Sequence, residues 1–598
     1  MPNNAPTSAP AATVADQVLD YLKLEGATTV FGVPGAGVMH LLQRLHDRDE
    51  FNYVVCRHET GAAYMADGFY RATGKPGIVL VTSGPGATNA LTGTTNAFFG
   101  GSAILVLTGE VSEQFLGRGY LQEGVDCGLN VRDIYAAATR YSADIEDASG
   151  APIVIEQALR DMLSLPRRAV HISVPDNVAA TAIPTGAYLS ARPPASPKAY
   201  RSLPGGASPS DVGRALSVLS SASRPLILLG NGCREALRDP ETSRALHCLV
   251  EWWQIPVMTT SDGKGVFPET HALSLRSYGF AGCQWPQYWI VDQTTKAVAH
   301  DALLVIGSSL GELATYKWNP ILVPKGPFLQ VDIDQSVIGR GMPVTDGIVA
   351  ECGAFLRAMW DQAPAWKRDS DKVAARGAAI AAIKEQNAPI VSISDYENSA
   401  APLHPAALCR LLNENLPDDA LVFIDSGNCV GWSMHYLVVR PGQEAQSALA
   451  MGPMGFGVCA VVGARLGRPD RLCVALVGDG ALLMHLGEIT TAAAQKAGAI
   501  WIVLCDDDLG MVSQGMDTFF PDAADPYHYR LGAPDLRKAV EGLGADAYEL
   551  VEPTDFPSIW QATLKGAAAG RPQVIVARID RNAAPPYWTA LFMHQFVE

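Results

Sequence analysis

The sequence predicts an α/β protein with three doubly wound domains, each built around a parallel sheet. The chain has 598 residues, the length of about three or four domains. Short apolar runs bounded by glycine recur in its first, middle and last thirds, as in 77–81, 225–229 and 471–477. Stretches of helical character separate these runs. Strands that alternate with helices are typical of strand–helix–strand units, which form parallel sheets.

Composition excludes several function classes. The net charge of −16, without a basic stripe, argues against nucleic-acid binding. The 11 cysteines are scattered, without metal-type pairs or a disulfide framework, which is typical of a reducing cytosol. No apolar run reaches the length of a membrane span. We therefore expect a cytoplasmic enzyme or binding protein that does not act on membranes.

Two stretches rich in proline, glycine, serine and alanine suggest linkers, one near 180–210 and one near 386–404. The first residues lack the basic and apolar segments of a signal peptide, which indicates a disordered tail. The predicted limits are a tail at 1–11, a first domain at 12–182, a linker at 183–208, a middle Rossmann-like domain at 209–365, a linker at 366–403, a last domain at 404–584 and a C-terminal segment at 585–598.

The most informative motif lies in the last domain. Residues 477–481 read Val-Gly-Asp-Gly-Ala, which places Asp479 on a glycine-rich turn after a buried strand. Residues 504–508 read Leu-Cys-Asp-Asp-Asp and place Asp506 after the next strand. The tips of neighbouring parallel strands converge, so the two acidic groups are expected to face one ligand.

A divalent cation held against a diphosphate suits this arrangement. A helix start attracts phosphate, and Mg²⁺ prefers a few protein oxygens together with phosphate oxygens. The predicted metal ligands are Asp479, Asp506 and the backbone carbonyl of Asp508. Taken alone, the Gly-Asp-Gly turn would more simply be an ordinary strand-to-helix turn with a capping aspartate. The second oxygen cluster favours the metal site.

These motifs resemble those of the thiamine-diphosphate enzymes, which include acetohydroxyacid synthases, pyruvate oxidases, benzaldehyde lyase and 2-oxo acid decarboxylases. Residues 30–35, 57–68 and 77–89 are similar to the family's pyrimidine-binding domain, and come closest to acetolactate synthase large subunits. The resemblance therefore implies a pyrimidine-binding first domain and a diphosphate-binding last domain. In the family an asparagine normally stands where this chain has Asp506. The extra charge is expected to couple metal and cofactor affinity more strongly.

The resemblance also implies catalytic roles for two residues. Glu59 matches the glutamate that hydrogen-bonds the cofactor's pyrimidine, which lets the 4′-amino group take the proton from the thiazolium carbon. Gln122 matches a glutamine placed over the reacting carbon, although a solvated loop glutamine is an alternative. The implied cofactor-binding residues are Thr82, Pro85, Asn89, Ser426, Asn428, Gly452, Met454, Gly478, Asp479, Gly480, Ala481 and Asp506.

Departures from the synthase pattern shape the functional hypothesis. In residues 307–313, Ser309 replaces the arginine that faces the acceptor keto acid in the synthases, so a charge-assisted partner for a carboxylate is missing. Residues 280–282 read Phe-Ala-Gly instead of the Met-His-Gly linked to flavin binding. We therefore expect thiamine diphosphate and Mg²⁺ as cofactors, and no FAD.

The sequence thus suggests decarboxylation of a 2-oxo acid with carboligation to an aldehyde or related acceptor; an acyloin is another substrate class. Three alternatives stay open: an acetolactate synthase, a flavin-dependent oxidoreductase of the pyruvate oxidase type, and a non-catalytic relative. The family resemblance further implies a homodimer or homotetramer with active sites at the subunit interface. Neither nucleic acid nor a membrane is an expected partner.

Overall fold

The structure is a computed structural model that describes residues 12–126, 128–184, 193–201, 205–522 and 529–586. The predicted N-terminal tail, and all but the first two residues of the predicted C-terminal segment, lie outside these ranges. The chain divides into two compact units. One contains Met1–Leu203 and Val462–Arg468, and the other contains Pro204–Val461 and Pro469–Glu598.

The first unit contains a six-stranded parallel sheet and a short antiparallel ribbon. The strands are β1 (Thr29–Val33), β2 (Asn52–Val55), β3 (Gly77–Val81), β4 (Ile104–Glu110), β5 (Val125–Asp126), β6 (Leu129–Asn130), β7 (Ser142–Asp144) and β8 (Val170–Pro175). The sheet order is β2-β1-β3-β4-β8-β7, and β5 and β6 form the ribbon. β3, β4 and β8 are buried along their whole length, as expected for strands covered on both faces.

Helices cover both faces of this sheet. They are α1 (Val14–Leu24), α2 (Met39–His46), α3 (Glu59–Thr73), α4 (Pro85–Gly100), α5 (Val131–Ala136), α6 (Ala151–Leu163) and α7 (Asp176–Ala179). α3 and α4 approach closely through small residues, since a Cβ on Gly93 would lie 2.5 Å from the Cβ of Ala63. This close packing holds the starts of α3 and α4 side by side.

The second unit contains two six-stranded parallel sheets. The strands of its first sheet are β9 (Pro225–Leu229), β10 (Val257–Thr260), β11 (Ser274–Tyr278), β12 (Ala302–Ile306), β13 (Phe328–Asp332) and β14 (Asp346–Val349). Their order is β11-β10-β9-β12-β13-β14. This is the strand order of the Rossmann fold, so the Rossmann-like topology predicted for the middle region is confirmed.

The other sheet of this unit consists of β15 (Leu421–Ile424), β16 (Glu444–Ser447), β17 (Cys473–Gly478), β18 (Ile500–Cys505), β19 (Asp546–Leu550) and β20 (Gln573–Arg578). Their order is β16-β15-β17-β18-β20-β19. This topology is that of the first unit's sheet, in which the second strand also lies outside the first and the last two exchange places. The first and last sheets therefore share one strand order.

The helices from residue 204 onward alternate with these strands. They are α8 (Pro209–Ser221), α9 (Arg234–Leu237), α10 (Pro240–Trp253), α11 (Trp285–Ile290), α12 (Glu312–Thr315), α13 (Cys352–Gln362), α14 (Ser370–Gln386), α15 (Ile393–Tyr396), α16 (Pro405–Asn415), α17 (Asn428–Tyr436), α18 (Phe456–Gly467), α19 (Asp479–Met484), α20 (Glu488–Ala494), α21 (Gly510–Phe519), α22 (Leu536–Gly542) and α23 (Phe556–Ala568). Within the described ranges, no helix is both long enough and apolar enough to cross a membrane.

The segment 366–403, predicted to be a linker, contains the long helix α14. Asp369 caps this helix, and Val373, Ile380 and Ile383 pack into the core around the β9–β14 sheet. The buried Arg376 donates a hydrogen bond to the backbone carbonyl of Trp253 at 2.9 Å. The apolar residues recur at helical spacing in an otherwise alanine-rich stretch, so the burial of one face holds much of this segment to the middle region.

Candidate functional site

In the first unit, the candidate residues gather where the strand order reverses between β1 and β3. Such a switch point leaves a crevice at the carboxyl ends of the strands. A Cβ on Gly35 would lie only 2.5 Å from the Cβ of Thr82, and the Gly37 N–H donates to Thr82 Oγ1 at 3.3 Å. The loops that follow the two strands are therefore in contact, and Thr82 is buried between them.

Glu59 is the first residue of α3 and lies at this crevice. The preceding His58 caps the helix by accepting a hydrogen bond from the Thr60 N–H at 3.1 Å. The Glu59 side chain is half-buried. Asn89 Nδ2 donates to Glu59 Oε2 at 3.0 Å, so a residue on the first turns of α4 orients the carboxyl group.

The other predicted contacts of this unit surround the same carboxyl group. A Cβ on Gly86 would lie 2.8 Å from Thr82 Cγ2 and 3.7 Å from Glu59 Oε1, so both side chains border the start of α4. Pro85 is the first residue of α4 and is exposed. The structure thus brings Glu59, Thr82, Pro85 and Asn89 together.

Gln122 lies over the turn before α4 in a strained conformation. Its φ is 64°, in the left-handed region that a residue with a side chain rarely adopts. A Cβ on Gly84 would lie 2.9 Å from the Gln122 carbonyl oxygen. Two carboxylates hold this loop: Glu123 accepts from the Tyr120 N–H at 3.2 Å, and the buried Glu110 accepts from the N–H of the residue after Glu123 at 3.1 Å. Burial raises the pKa of Glu110.

In the second unit, Asp479 lies at the reversal between β15 and β17. It follows Gly478, the last residue of β17, and begins α19 together with Gly480 and Ala481. Its Oδ1 accepts from the Gly480 N–H at 2.8 Å, and its Oδ2 accepts from the Asp507 N–H at 2.7 Å. The side chain is buried, and this burial raises the pKa of Asp479. The carboxylate thereby joins the carboxyl ends of β17 and β18.

Three further aspartates follow β18, and their surroundings differ. Asp507 forms an ion pair with Arg578 at 3.3 Å, and Asp508 forms one with Arg581 at 2.6 Å. Asp506 is half-buried, and burial together with the nearby Asp479 raises its pKa to about 7. Because the Asp508 side chain is engaged with Arg581, only its backbone carbonyl remains as the predicted ligand group.

Among the described residues, the group of side chains close enough to share one metal ion is Asp479, Cys505 and Asp507. This group includes one predicted ligand and omits Asp506 and Asp508. Cys505 Sγ donates to Asp507 Oδ1 at 3.5 Å, so two of its members already contact each other. Thiolate and carboxylate suit different metals, and the all-oxygen set proposed from the sequence stays a prediction.

The surroundings of Asp506 fit a hard cation beside a diphosphate. Asn428 Oδ1 is buried and has no hydrogen-bond partner among the described residues. A Cβ on Gly510 would lie 2.6 Å from Asp506 Oδ2 and 3.4 Å from Asn428 Nδ2, so both side chains border the same backbone. Oxygens from Asp479, Asp506 and Asn428 are the ligand type that Mg²⁺ and its bound waters prefer. The residues present therefore fit the implied metal.

Met454 and Gly452 lie in the loop before α18. A Cβ on Gly480 would lie 3.3 Å from Met454 Cε, so this methionine covers the turn that carries Asp479. Gly452 is exposed and has a φ of 73°, which favours glycine. The half-buried Ser426 is the second residue after β15, on the other side of the reversal. These three residues border the same strand ends as Asp479.

Asp425 was not assigned a role from the sequence. It is fully buried after β15 and accepts from the N–H groups of Ser426 at 2.7 Å, Gly455 at 2.9 Å and Val458 at 3.3 Å. Burial raises its pKa to about 6. The carboxylate ties the Ser426 loop to the start of α18, so it positions both loops. An aspartate directly after an apolar strand run was the signal in the sequence.

In the β9–β14 sheet the strand order reverses between β9 and β12, and the surroundings of this point differ from those in the other two sheets. A Cβ on Gly230 would lie 2.2 Å from the Gly307 carbonyl oxygen, and the Gly232 N–H donates to the same oxygen at 2.9 Å. Backbone therefore fills the space between these strand ends. Ser309, in the loop after β12, is exposed.

Comparison with known proteins supports one family across the chain. Models described as thiamine pyrophosphate enzyme N-terminal TPP binding domain, central domain and C-terminal TPP binding domain match residues 12–128, 212–359 and 425–577. A Mycobacterium tuberculosis protein named "Putative acetolactate synthase large subunit IlvB2" is 32% identical over 582 residues, which cover 96% of this chain and 99% of that protein.

Two further proteins are similar over most of their length. The acetolactate synthase large subunit of Lactococcus lactis is 25% identical, with 94% of this chain and 92% of that protein covered. The solved structure of a thiamine diphosphate-dependent 4-hydroxybenzoylformate decarboxylase from Rhodococcus jostii RHA1 has a TM-score of 0.77 and 24% identity, with 95% of this chain and 99% of that chain covered. At this identity the similarity shows a shared fold.

Proposed function

This chain belongs to the thiamine pyrophosphate enzymes, and from that premise we propose that it decarboxylates a 2-oxo acid and transfers the remaining acyl unit to an aldehyde or related acceptor. The proposed cofactors are thiamine diphosphate and Mg²⁺, without flavin. Bound thiamine diphosphate supplies a nucleophilic carbon and an electron sink for the cleaved bond. The smallest proposed assembly is a homodimer.

The proposed role of Glu59 is to exchange a proton with the cofactor's aminopyrimidine. Its carboxyl group is half-buried and, among the described residues, receives a hydrogen bond from Asn89 on Oε2. Glu59 Oε1 faces the start of α4, close to Thr82. This geometry supports a carboxyl group that is oriented and still able to bond a ligand. Gln122 is proposed to bond a substrate oxygen from the loop above.

Ser309 is the observation that carries the choice of reaction. It is exposed in the loop after β12, at the position where the family resemblance implies an arginine in acetolactate synthases. A serine hydroxyl cannot provide the bidentate, charge-assisted contact that an arginine makes with a carboxylate. An acceptor without a carboxylate, such as an aldehyde, loses nothing by this replacement.

Acetolactate synthesis is the second candidate. It is favoured by the curated relatives, whose names describe acetolactate synthase large subunits. In that reaction the acceptor is a second 2-oxo acid, so the two candidates differ in whether the acceptor carries a carboxylate. The same product analysis therefore separates them.

The test is incubation of the purified full-length protein with thiamine diphosphate, Mg²⁺ and aliphatic or aromatic 2-oxo acids, with and without aldehydes. Products are identified by mass spectrometry, and the absorbance spectrum of the protein reports bound flavin. We expect CO₂ release and a hydroxyketone that appears only when an aldehyde is present. Acetolactate as the main product from pyruvate would favour the synthase. Stoichiometric FAD absorbance would contradict the flavin-free proposal.

A further inference from the structure

Four aspartates lie at the carboxyl ends of β17 and β18, and within the described ranges two of them form an ion pair with a cationic side chain. Arg578 Nη1 lies 3.3 Å from Asp507 Oδ2, and Arg581 Nη2 lies 2.6 Å from Asp508 Oδ2. Arg578 also pairs with Glu549 at 2.8 Å, so its charge is shared. The side chains of Asp507 and Asp508 thus form ion pairs, which makes them less available to bind a ligand.

Asp479 and Asp506 have no ion-pair partner within the ranges that the structure covers. Asp479 is buried and is stabilised by two backbone N–H groups. Asp506 receives one long hydrogen bond, from the Asp508 N–H at 3.3 Å. The carboxyl groups of Asp479 and Asp506 therefore lie at the ends of the neighbouring strands β17 and β18, and no ion pair among the described residues neutralises either of them. The buried, unpartnered oxygen of Asn428 adds a further acceptor to the same place.

Until a cation enters, these two carboxylates would repel an anionic diphosphate. With an asparagine in place of Asp506, one carboxylate would remain, and the amide would also offer an N–H donor to a phosphate oxygen. The aspartate removes that donor and adds a like charge. A divalent cation turns this repulsion into attraction, because it neutralises the charge of both carboxylates and keeps coordination positions for phosphate oxygens.

We propose that Asp506 makes binding of the cofactor ordered, with the divalent cation entering first and the diphosphate following. This inference rests on the proposed function, because it assumes that thiamine diphosphate binds at Asp479. It assigns to Asp506 a role that an asparagine does not share: the metal-free protein holds a cation by itself and rejects the free cofactor. Metal availability would then control loading of the enzyme.

The first measurement is the binding of Mn²⁺ to the cofactor-free protein. The electron paramagnetic resonance signal of free Mn²⁺ reports how much of the ion remains unbound. The experiment is run at about pH 8, well above the ordinary pKa of an aspartate. We expect the wild type to bind one Mn²⁺ per chain and Asp506→Asn to bind it about tenfold to 100-fold more weakly. Asp517→Asn, which removes an exposed charge from α21, serves as the matched control and should bind like the wild type.

The second measurement is thiamine diphosphate binding by calorimetry, in EDTA and in saturating Mg²⁺. The ratio of the two Kd values should be at least about tenfold larger for the wild type than for Asp506→Asn, because one like charge is removed. Asp506→Ser provides a second variant without the charge, in case the asparagine variant folds poorly. Thermal melts confirm that each variant is folded.

The outcomes separate this inference from the proposed function. Equal metal dependence in the wild type and both variants would overturn ordered binding while leaving the cofactor assignment intact. Ordered binding would also be overturned if the wild-type protein bound thiamine diphosphate as tightly in EDTA as in Mg²⁺. If no variant binds thiamine diphosphate at any metal concentration, the proposed function and the ordering fail together.

Discussion

At the residue scale, the surroundings of each acidic group set what it can do. Glu59 is half-buried and bonded by one amide, so its carboxyl can still reach a ligand. Asp425 is fully buried and accepts hydrogen bonds from three backbone N–H groups, so it positions the Ser426 loop and the start of α18. Asp506 lies between these extremes and has no cationic partner in the described part of the chain. We therefore propose proton transfer for Glu59, loop positioning for Asp425 and cation binding for Asp506.

Replacing Glu59 with glutamine should stop turnover without unfolding the protein. The amide keeps the size of the side chain and can still accept from Asn89 Nδ2, but it cannot exchange a proton. We expect turnover to fall at least about 100-fold and Tm to stay within about 2 °C of the wild type. Glu113→Gln, at an exposed position of the same unit, is the control. Wild-type turnover in Glu59→Gln would remove Glu59 from the mechanism.

Gln122 offers a test of strain stored at a functional position. The φ of Gln122 is 64°, a value that glycine adopts with less strain than any other residue. Gln122→Gly should therefore raise the free energy of unfolding by about 1 kcal/mol while lowering turnover about tenfold through loss of the side-chain amide. Gln122→Ala should lose the same activity without the gain in stability. Full turnover in both variants would mean that the side chain has no catalytic contact.

At the element scale, a buried ion pair connects the Rossmann-like sheet with the helix that carries Asn428. Lys264 Nζ, in the loop after β10, lies 2.7 Å from Glu269 Oε1 and 3.3 Å from the Met434 carbonyl oxygen in α17. Glu269 Oε2 accepts from the Val439 N–H at 2.8 Å. Both charged side chains are fully buried. α17 therefore has a fixed position relative to the middle strands.

Removing one member of this ion pair should lower the stability of the protein. Lys264→Met leaves the Glu269 carboxylate buried and unpaired, so we expect the free energy of unfolding to drop by about 3–5 kcal/mol. Denaturant unfolding measures this change. The double variant Lys264→Met with Glu269→Leu should recover much of the loss, because no buried charge remains. Lys367→Met, at an exposed position, should have almost no effect. A small loss in the single variant would indicate that water reaches the pair.

At the scale of the whole molecule, the pH dependence of stability should report the buried Asp425. Its folded pKa of about 6 lies above the ordinary value of 3.8, so folding favours the protonated form. The stabilisation is therefore complete below the ordinary pKa and is lost as the pH rises through the folded value. In Asp425→Asn this pH dependence should disappear. Between about pH 4 and pH 7 the difference in free energy of unfolding between wild type and variant should change by about 3 kcal/mol at most.

The measurement is denaturant unfolding of both proteins across that pH range. Comparing the two cancels the general effect of the −16 net charge, which both proteins share apart from one carboxyl. Asp517→Asn should follow the wild type at every pH, because its side chain is exposed. Parallel curves for wild type and Asp425→Asn would show that Asp425 is ionised throughout.

Much of the fold follows from local sequence patterns. Apolar runs bounded by glycine mark β3, β9 and β17 because a strand covered on both faces must be apolar along its length. Glu59 and Asp479 could be assigned to helix starts because each follows such a run or a short turn after it. The Rossmann-like rhythm of the middle region follows from the same repeated pattern.

The sequence by itself therefore determined the fold class, the family and the acidic residues at the strand ends, because periodicity and motif order are local properties. Only the tertiary structure decided which charges are paired: Arg578 pairs with Asp507 and Arg581 with Asp508, while Asp506 forms no ion pair within the described ranges. It also placed α14 on the middle core and gave Gln122 its left-handed backbone. Ion pairs and backbone strain depend on residues far apart in the chain, which meet only once the sheets have formed.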